Sequence, residues 1–399
     1  MKSKIPSYKS TFYKFIKPDD REATEPIKDG FWSSPERGNS VALAKEFEYK
    51  NVIKPLSFFS INEIYVSKYI TNIPNYFLYF MPVLKSTTIT TAIAHPKQEQ
   101  EQKLEENGDE QSESKFSDYT PERKRKSMLV YTRHLDSHNN FYQMFNNIGK
   151  SNSNSKKGIM RIIDSYKYLL HIIEILNTYQ IVHLNIIPNN ILFNSDNNPI
   201  LSNFTNSFHF PTLNEERKSN LFKSYIPKNQ AQNPNPTNIF YTQPLEVYVI
   251  SFSENQENNS SLSLSNIELL CSNFTTLSFS SLSIFSETYI KEYKEQAVFS
   301  LRCYINKPKE YVINDLLNNS STWNNYSLSM LYLHLLNFHF VDTMECASKL
   351  NNQFITSFSQ LLMNNIHAKV AYRCSASQTL ELFEDVLYSI DARTIASIV

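Results

Sequence analysis

The sequence predicts an α+β protein with a small strand-rich N-terminal part and a larger helical C-terminal part. Three observations carry this. Short apolar and aromatic runs at 51–54, 77–83 and 128–131 have strand character. Between Ile159 and Tyr179, the residues Ile162, Ile163, Tyr166, Leu169, Leu170, Ile173 and Leu176 fall on one stripe at helical spacing. Beyond residue 284 the pattern is helical, over 284–302, 325–337, 341–349, 353–364 and 377–388. The chain has 399 residues and 41% hydrophobic residues, enough for two or three domains, or one large two-lobed domain, with a sizeable core.

In chain order, residues 1–50 mix Pro, Ser and charge and read as an irregular extension, with one short strand at Thr11–Ile16. Residues 51–136 form the strand-rich part. Within it, Ser60 followed by Glu63 reads as a capping box opening a helix that runs to about Ile70, ahead of Pro74. Phe77–Val83 reads as a buried strand. Residues 87–126 are read as an insertion, and 97–126 are low-complexity, first acidic and then basic at ERKRK. Such a stretch buries too little apolar area to offset its ordering entropy, so it reads as disordered. Residues 137–390 form the helical part, with SNSNSKK (151–157) as a linker and polar insertions at 212–238 and 251–264. Ile191–Phe193 and Pro199–Leu201, separated by NSDNN, read as a hairpin. Residues 391–399 are a tail.

Composition excludes several functions. Lys+Arg and Asp+Glu both count 39, so bulk nucleic acid is not an expected partner, and without a basic groove the aromatic content reads as core packing. Four widely spaced cysteines form no CxxC, which argues against a disulfide scaffold or a zinc cluster. The N-terminus has no apolar signal-peptide core, and no run of about 18 apolar residues predicts a membrane span. Only 5 glycines occur, with neither GxGxxG nor Walker A, so a glycine-rich phosphate cradle is missing. His134 and His138 are four apart but lie in a loop, and no HExxH, HxH or GxSxG is present.

Five motifs in order carry a resemblance. His183-Leu-Asn-Ile-Ile-Pro-Asn-Asn190, followed by Ile-Leu-Phe, is similar to H-R-D-x-K-P-x-N-I-L. Ser202-Asn-Phe-Thr205 resembles the D-F-G segment, and Pro244-Leu-Glu246 resembles the end of A-P-E. Trp323-Asn-Asn-Tyr-Ser-Leu-Ser329 resembles D-x-Y-S-L-G, and Arg373 in AYRCSASQTLELFE resembles the Arg-Pro-Ser/Thr segment. Together they resemble the eukaryotic protein-kinase superfamily over about residues 50–390, and in general texture its divergent members in large nucleocytoplasmic DNA viruses. The resemblance implies a bilobal protein-kinase-like fold, with a β-rich N-lobe and a helical C-lobe. It matches Glu63 to the helix-C glutamate and Lys54 to its strand lysine, at a spacing short for the family.

The departures decide what the resemblance implies for chemistry. Asn185 stands at the catalytic base, and an amide oxygen is hardly basic. Asn203 replaces the metal-binding Asp, leaving a neutral ligand for a hard cation. Ile187 replaces the phosphate lysine, Leu184 the loop arginine, Thr205 the glycine, and Asn324 the anchoring aspartate. Asn190 matches the second metal ligand. His183 and Phe204 match structural aromatic contacts, and Glu246 and Arg373 a buried ion pair. The expectation is a pseudokinase: no cofactor, a protein partner of unknown identity, no membrane, and a scaffold or regulatory role inside a cell, in the cytoplasm of an infected host. One alternative is a divergent active Ser/Thr kinase using ATP and Mg. Asp164 and Asp196 are then the nearest acids. The other is a structural or virion-associated protein.

Overall fold

The computed structural model describes residues 49–92, 124–135, 139–145, 152–223, 241–256, 261–341 and 353–389. All belong to one unit, 48–399. The expected strand at 11–16, the bulk of the 97–126 segment, most of the helix at 341–349, His138 and the 391–399 tail lie outside the described residues. Among the described residues the architecture is α+β, with three small sheets and a helical majority.

The first sheet has the order β1 (Tyr49–Pro55), β4 (Lys124–Arg133), β3 (Lys85–Ala92), all antiparallel. Its strands run past the boundaries the sequence predicts. Residues 87–92 and 124–126 are not part of an unstructured insertion but a paired ladder in which Thr90 lies opposite Lys126. Thr- and Lys-rich strands have no alternation of apolar residues to betray them, and Thr87, Thr88, Thr90 and Lys126 are exposed. Val52 and Val130 are opposite each other, and Met128 and Val130 join Val83 in a small apolar cluster beneath the sheet.

Helix α1 (Phe58–Ile70) packs against this sheet, with Ile64 touching the cluster. Its cap is one turn earlier than expected. Ser57 is the N-cap, its hydroxyl accepting the Ser60 N–H at 3.3 Å, and Ser60 returns the favour to the Ser57 N–H at 3.0 Å. Ser60 thus fills the position the sequence reading gave to Glu63. Glu63 is freed from capping and lies buried in mid-helix. The apolar stretch 77–83 is mostly not a strand. Asn75 in a left-handed conformation (φ 56°) leads into a 3-10 turn, Tyr76–Leu78, leaving only β2 (Phe80–Met81).

The second sheet has the order β2, β8 (Pro199–Ser202), β7 (Ile191–Phe193), β5 (Asn139–Asn140). β7 and β8 form the expected hairpin. A third pairing joins β6 (Ile181–Val182) to β9 (Phe208–His209).

A short helix α2 (Phe141–Phe145) precedes α3 (Asn152–Thr178), which begins inside the SNSNSKK segment read as a linker. The α3 stripe is buried as its periodicity requires, from Ile162 through Leu176, with Ile163 half-buried. The segment 212–238 contains an amphipathic helix, α4 (Glu215–Lys223), whose Leu221 and Phe222 are in the core. Residues 251–255 end α5 (Leu245–Asn255), with the buried Ser251 hydroxyl bonded to the Phe222 carbonyl at 2.7 Å. Serine satisfied by backbone carbonyls can sit in a helix core, which low-complexity composition hides. Then come α6 (Leu264–Leu277), α7 (Phe279–Leu282), α8 (Glu287–Leu301) and α9 (Lys309–Leu317).

Helix α10 (Trp323–Leu336) is buried all round, every residue except His334. Helices α11 (Gln353–Asn365) and α12 (Ala376–Ser389) close the core on it. Tyr166 of α3 is boxed edge-on by Tyr332, Phe358 and Phe383 at centroid distances of 4.8, 4.8 and 5.0 Å. Among the described residues no helix is long and apolar enough to cross a membrane. Because Phe358 is fully buried in that box, Phe358→Ala should lower unfolding stability by about 3–5 kcal/mol, read as a lower urea midpoint at unchanged slope.

Candidate functional site

The site is built on the loop 183–190, between β6 and β7. Five backbone groups of its first three residues have side-chain partners. The His183 N–H donates to Asn324 Oδ1 at 2.9 Å, and the His183 carbonyl accepts from Ser207 Oγ at 3.0 Å. Leu184 takes a left-handed φ of 53°, and its carbonyl accepts from Gln243 Nε2 at 2.7 Å. The Asn185 N–H donates to His183 Nδ1 at 3.2 Å. Its carbonyl accepts from Asn190 Nδ2 at 2.8 Å.

Asn324 sits at the start of α10. Its Oδ1 takes the His183 N–H, and its Nδ2 donates to the Ile181 carbonyl at 2.9 Å and to Asn177 Oδ1 at 3.2 Å. The two backbone groups fix the amide's orientation, since one only donates and the other only accepts. A carboxylate could accept the first bond but not give the other two.

His183 is fully buried. Its Nε2 bonds the Ser202 carbonyl at 3.1 Å while Nδ1 accepts from Asn185, so the ring is the neutral Nε2–H tautomer. Burial pushes its pKa down to about 4, against the smaller upward pull of the Ser202 carbonyl. The ring meets Phe204 edge-on at 4.9 Å, and Phe204 also meets Phe80 at 6.2 Å.

The two residues matched to metal ligands bond each other. Asn190 must present Oδ1 outward, because its Nδ2 is committed to a carbonyl. Asn203 (φ 64°) therefore turns its Nδ2 to that oxygen, at 3.0 Å. The remaining Asn203 Oδ1 accepts the Thr205 hydroxyl at 2.7 Å. Both amide oxygens are taken by donors within the chain. The donor set is neutral, and a hard divalent cation prefers charged oxygens, so these residues do not fit a magnesium ion. Among the described residues no group of three or more His, Cys, Asp or Glu is placed to hold a metal.

Asn185 is half-buried and Ile187 half-buried, both on the loop beside this pair. Asp164 is exposed on α3, and Asp196 is exposed in the β7–β8 turn. Lys54 of β1 reaches Glu63 of α1, Nζ to Oε2 at 2.5 Å, with Glu63 buried and Lys54 a quarter exposed. The strand–helix pair read from sequence therefore forms. One turn-neighbour was missed: Asn62 Nδ2 donates to the Thr205 and Ser207 carbonyls at 2.9 and 2.8 Å, tying α1 to the segment after Phe204. Its partners lie more than 140 residues away, so no local pattern announces it. Gln243, whose partner Leu184 is 59 residues away, gives no local pattern either.

Glu246 and Arg373 pair through two bonds, 2.9 and 3.2 Å, with side chains 5% and 1% exposed. Arg373 Nε also donates to the His367 carbonyl at 2.8 Å, and its guanidinium lies over the Tyr326 ring at 4.7 Å. Burial pulls the Arg373 pKa down, but Glu246, Tyr293 and Tyr326 together turn the net shift upward. A cavity of about 190 Å³ lies behind the loop, against Asn177, Ile181 and Phe210. It is separate from the asparagine pair, which does not line it.

Compared with known proteins, the chain matches no protein-family model and no curated protein.

Two predictions follow from the geometry. Arg373→Ala leaves Glu246 buried without its partner and should cost about 3–5 kcal/mol, measured by denaturant unfolding. The second concerns pH. The folded-state pKa of His183, about 4, lies below the ordinary 6.5, so the unfolded chain takes up the proton first as pH falls. Stability is then full above about pH 6.5 and lost down to about pH 4, by about 3 kcal/mol from this residue. Urea unfolding at about pH 7.5 and about pH 5 should show a smaller pH difference in His183→Gln than in the wild type.

Proposed function

We propose that the chain is a bilobal protein-kinase-fold protein that has lost phosphoryl transfer and acts by binding a protein partner, as a scaffold or regulator. The observation that carries this reading is the amide pair. Phosphoryl transfer is mostly positioning and electrostatics around a metal–phosphate complex. Asn190 Oδ1 accepts from Asn203 Nδ2 and Asn203 Oδ1 accepts from the Thr205 hydroxyl, so each amide oxygen has a hydrogen-bond donor within the chain. The base position carries Asn185, the phosphate-lysine position Ile187, and no glycine-rich loop precedes Lys54. Each absence removes a different part of the mechanism.

The bilobal reading draws support from the Lys54–Glu63 pair, the Asn324 anchor beneath the loop and the Glu246–Arg373 bridge, which join the motif positions in the combinations the resemblance implies. A second reading, a divergent active Ser/Thr kinase with ATP and Mg, is favoured by the Lys54–Glu63 pair alone. The proposed setting is the cytoplasm of an infected host cell; a structural role in a virus particle would appear as co-purification with particles.

The test is a thermal-shift titration of the full chain with ATP, with and without Mg or Mn, beside a radiolabel transfer assay. A ligand that binds the folded state raises its midpoint by mass action. The expected results are no shift up to about millimolar nucleotide and no turnover, also in the double variant Asn185→Asp, Asn203→Asp, which still lacks the lysine and the glycine loop. A Mg-dependent shift with turnover abolished by Lys54→Ala would sink the proposal.

A further inference from the structure

A second feature lies away from the loop, where α8 faces the segment 367–372. Glu292, Glu295 and Phe299 recur at i, i+3 and i+7, so they line one face of α8 over two turns. That face is turned outward: Phe299 is 63% exposed, and across from it Tyr372 is 62% exposed. Between them is a groove of about 510 Å³, with His367 and Lys369 on the far wall.

The groove already holds a cation. Lys369 Nζ lies 5.2 Å from the Tyr372 ring centroid and 5.9 Å from that of Phe299, shared between two aromatic faces. An ammonium is attracted to such faces by the ring quadrupole, and a planar guanidinium is held better because it stacks and is less hydrated. The walls are fixed. The His367 carbonyl is bonded to the buried Arg373, its Nδ1 accepts the Lys369 N–H at 3.0 Å, and its ring meets Tyr372 edge-on at 5.0 Å. The rim is acidic. Glu292 and Glu295 are both exposed and form no ion pair among the described residues, so two carboxylates face one ammonium.

We propose that this groove binds an arginine side chain of a basic protein segment, its guanidinium displacing Lys369 from between Phe299 and Tyr372 and pairing with Glu292 and Glu295. Lys369 is then an internal stand-in that keeps the aromatic faces occupied until the partner arrives. Acidic or phosphorylated partners are disfavoured by the same carboxylates. The inference goes beyond the proposed function and does not depend on it, since the groove is built by residues outside the asparagine site.

The experiment is a binding titration of the full chain with a fluorescent peptide of alternating Arg and Gly, beside one of alternating Glu and Gly. Wild type should bind the first and not the second. Phe299→Ala and Tyr372→Ala should each weaken binding about three- to fivefold. Glu292→Gln with Glu295→Gln should weaken it roughly tenfold at low salt. Lys369→Ala should tighten it about threefold, by removing the competitor. Lys307→Ala, an equal charge change beside Tyr311, should leave it unchanged. All the substituted side chains are at the surface, and melting curves confirm that each variant is folded. The idea is overturned if neither wild type nor Lys369→Ala binds the Arg peptide, if both ring variants bind it like wild type, or if Lys307→Ala tightens binding as much as Lys369→Ala. The ATP titration is unaffected by any of these results, so the two proposals fail separately.

Discussion

The amide of Asn324 is the constraint on which the site depends. It holds the backbone on both sides of Val182, taking the His183 N–H and giving to the Ile181 carbonyl. With these ends fixed, His183 is buried under Ser202, Leu184 is turned into a left-handed conformation, and the loop returns along Asn185 to Asn190. Asn190 sets the orientation of Asn203, and Asn62 of α1 seizes the backbone two and four residues beyond it. A run of directional bonds thus passes from α10, the most buried helix, to α1 beside the first sheet. The buried members, His183, Asn190, Asn324 and Asn62, would each cost about 1–3 kcal/mol if left unpaired, and bonded dipoles in series strengthen one another.

The sequence carried those parts of the fold that local periodicity encodes. The α3 stripe, the β7–β8 hairpin and the late helices α11 and α12 were legible because apolar spacing, turn residues and burial agree there. Where polar residues fold into the interior, the pattern misled. Ser251, Ser253 and the amphipathic α4 sit inside segments that composition marks as loops, and β3 has almost no apolar side chains. The capping error is of the same kind: Ser57 and Ser60 cap each other reciprocally, a pairing less recognisable than Ser with Glu. In the site, residues tied to motifs were nameable in advance, with pairings such as Lys54–Glu63 and Glu246–Arg373. Asn62, Gln243 and the mutual bond of Asn190 and Asn203 were not, since each depends on partners brought together only by the tertiary fold.

The helical segment from α6 to α9 stands in sequence between Glu246 and Asn324 and is fastened to both neighbourhoods. Tyr293 of α8 bonds Tyr326 of α10 through their hydroxyls at 3.1 Å, beneath the Arg373 guanidinium. The buried ion pair therefore does two jobs. It locks α5 to the segment before α12, and through the His367 carbonyl it fixes one wall of the groove against α8. Stability at the ion pair and shape at the surface groove have a common origin.

The amides at the site also satisfy one another through hydrogen bonds within the chain. A carboxylate at position 203 would set an oxygen against the Asn190 amide oxygen where Asn203 Nδ2 now donates at 3.0 Å, and two acceptors in a half-buried setting repel unless a metal or a proton intervenes. Asparagine has nearly the same shape but carries a donor and an acceptor, so two of them close on each other and Thr205 completes the set. Position 324 follows the same logic: a neutral amide serves one donor and two acceptors where a carboxylate could only accept. Paired dipoles at these positions make the loop depend on its own hydrogen bonds. On the proposed reading, loss of catalysis and gain of a self-sufficient fold are one change in chemistry, with Asn185, Asn203 and Asn324 standing where the resemblance has aspartates.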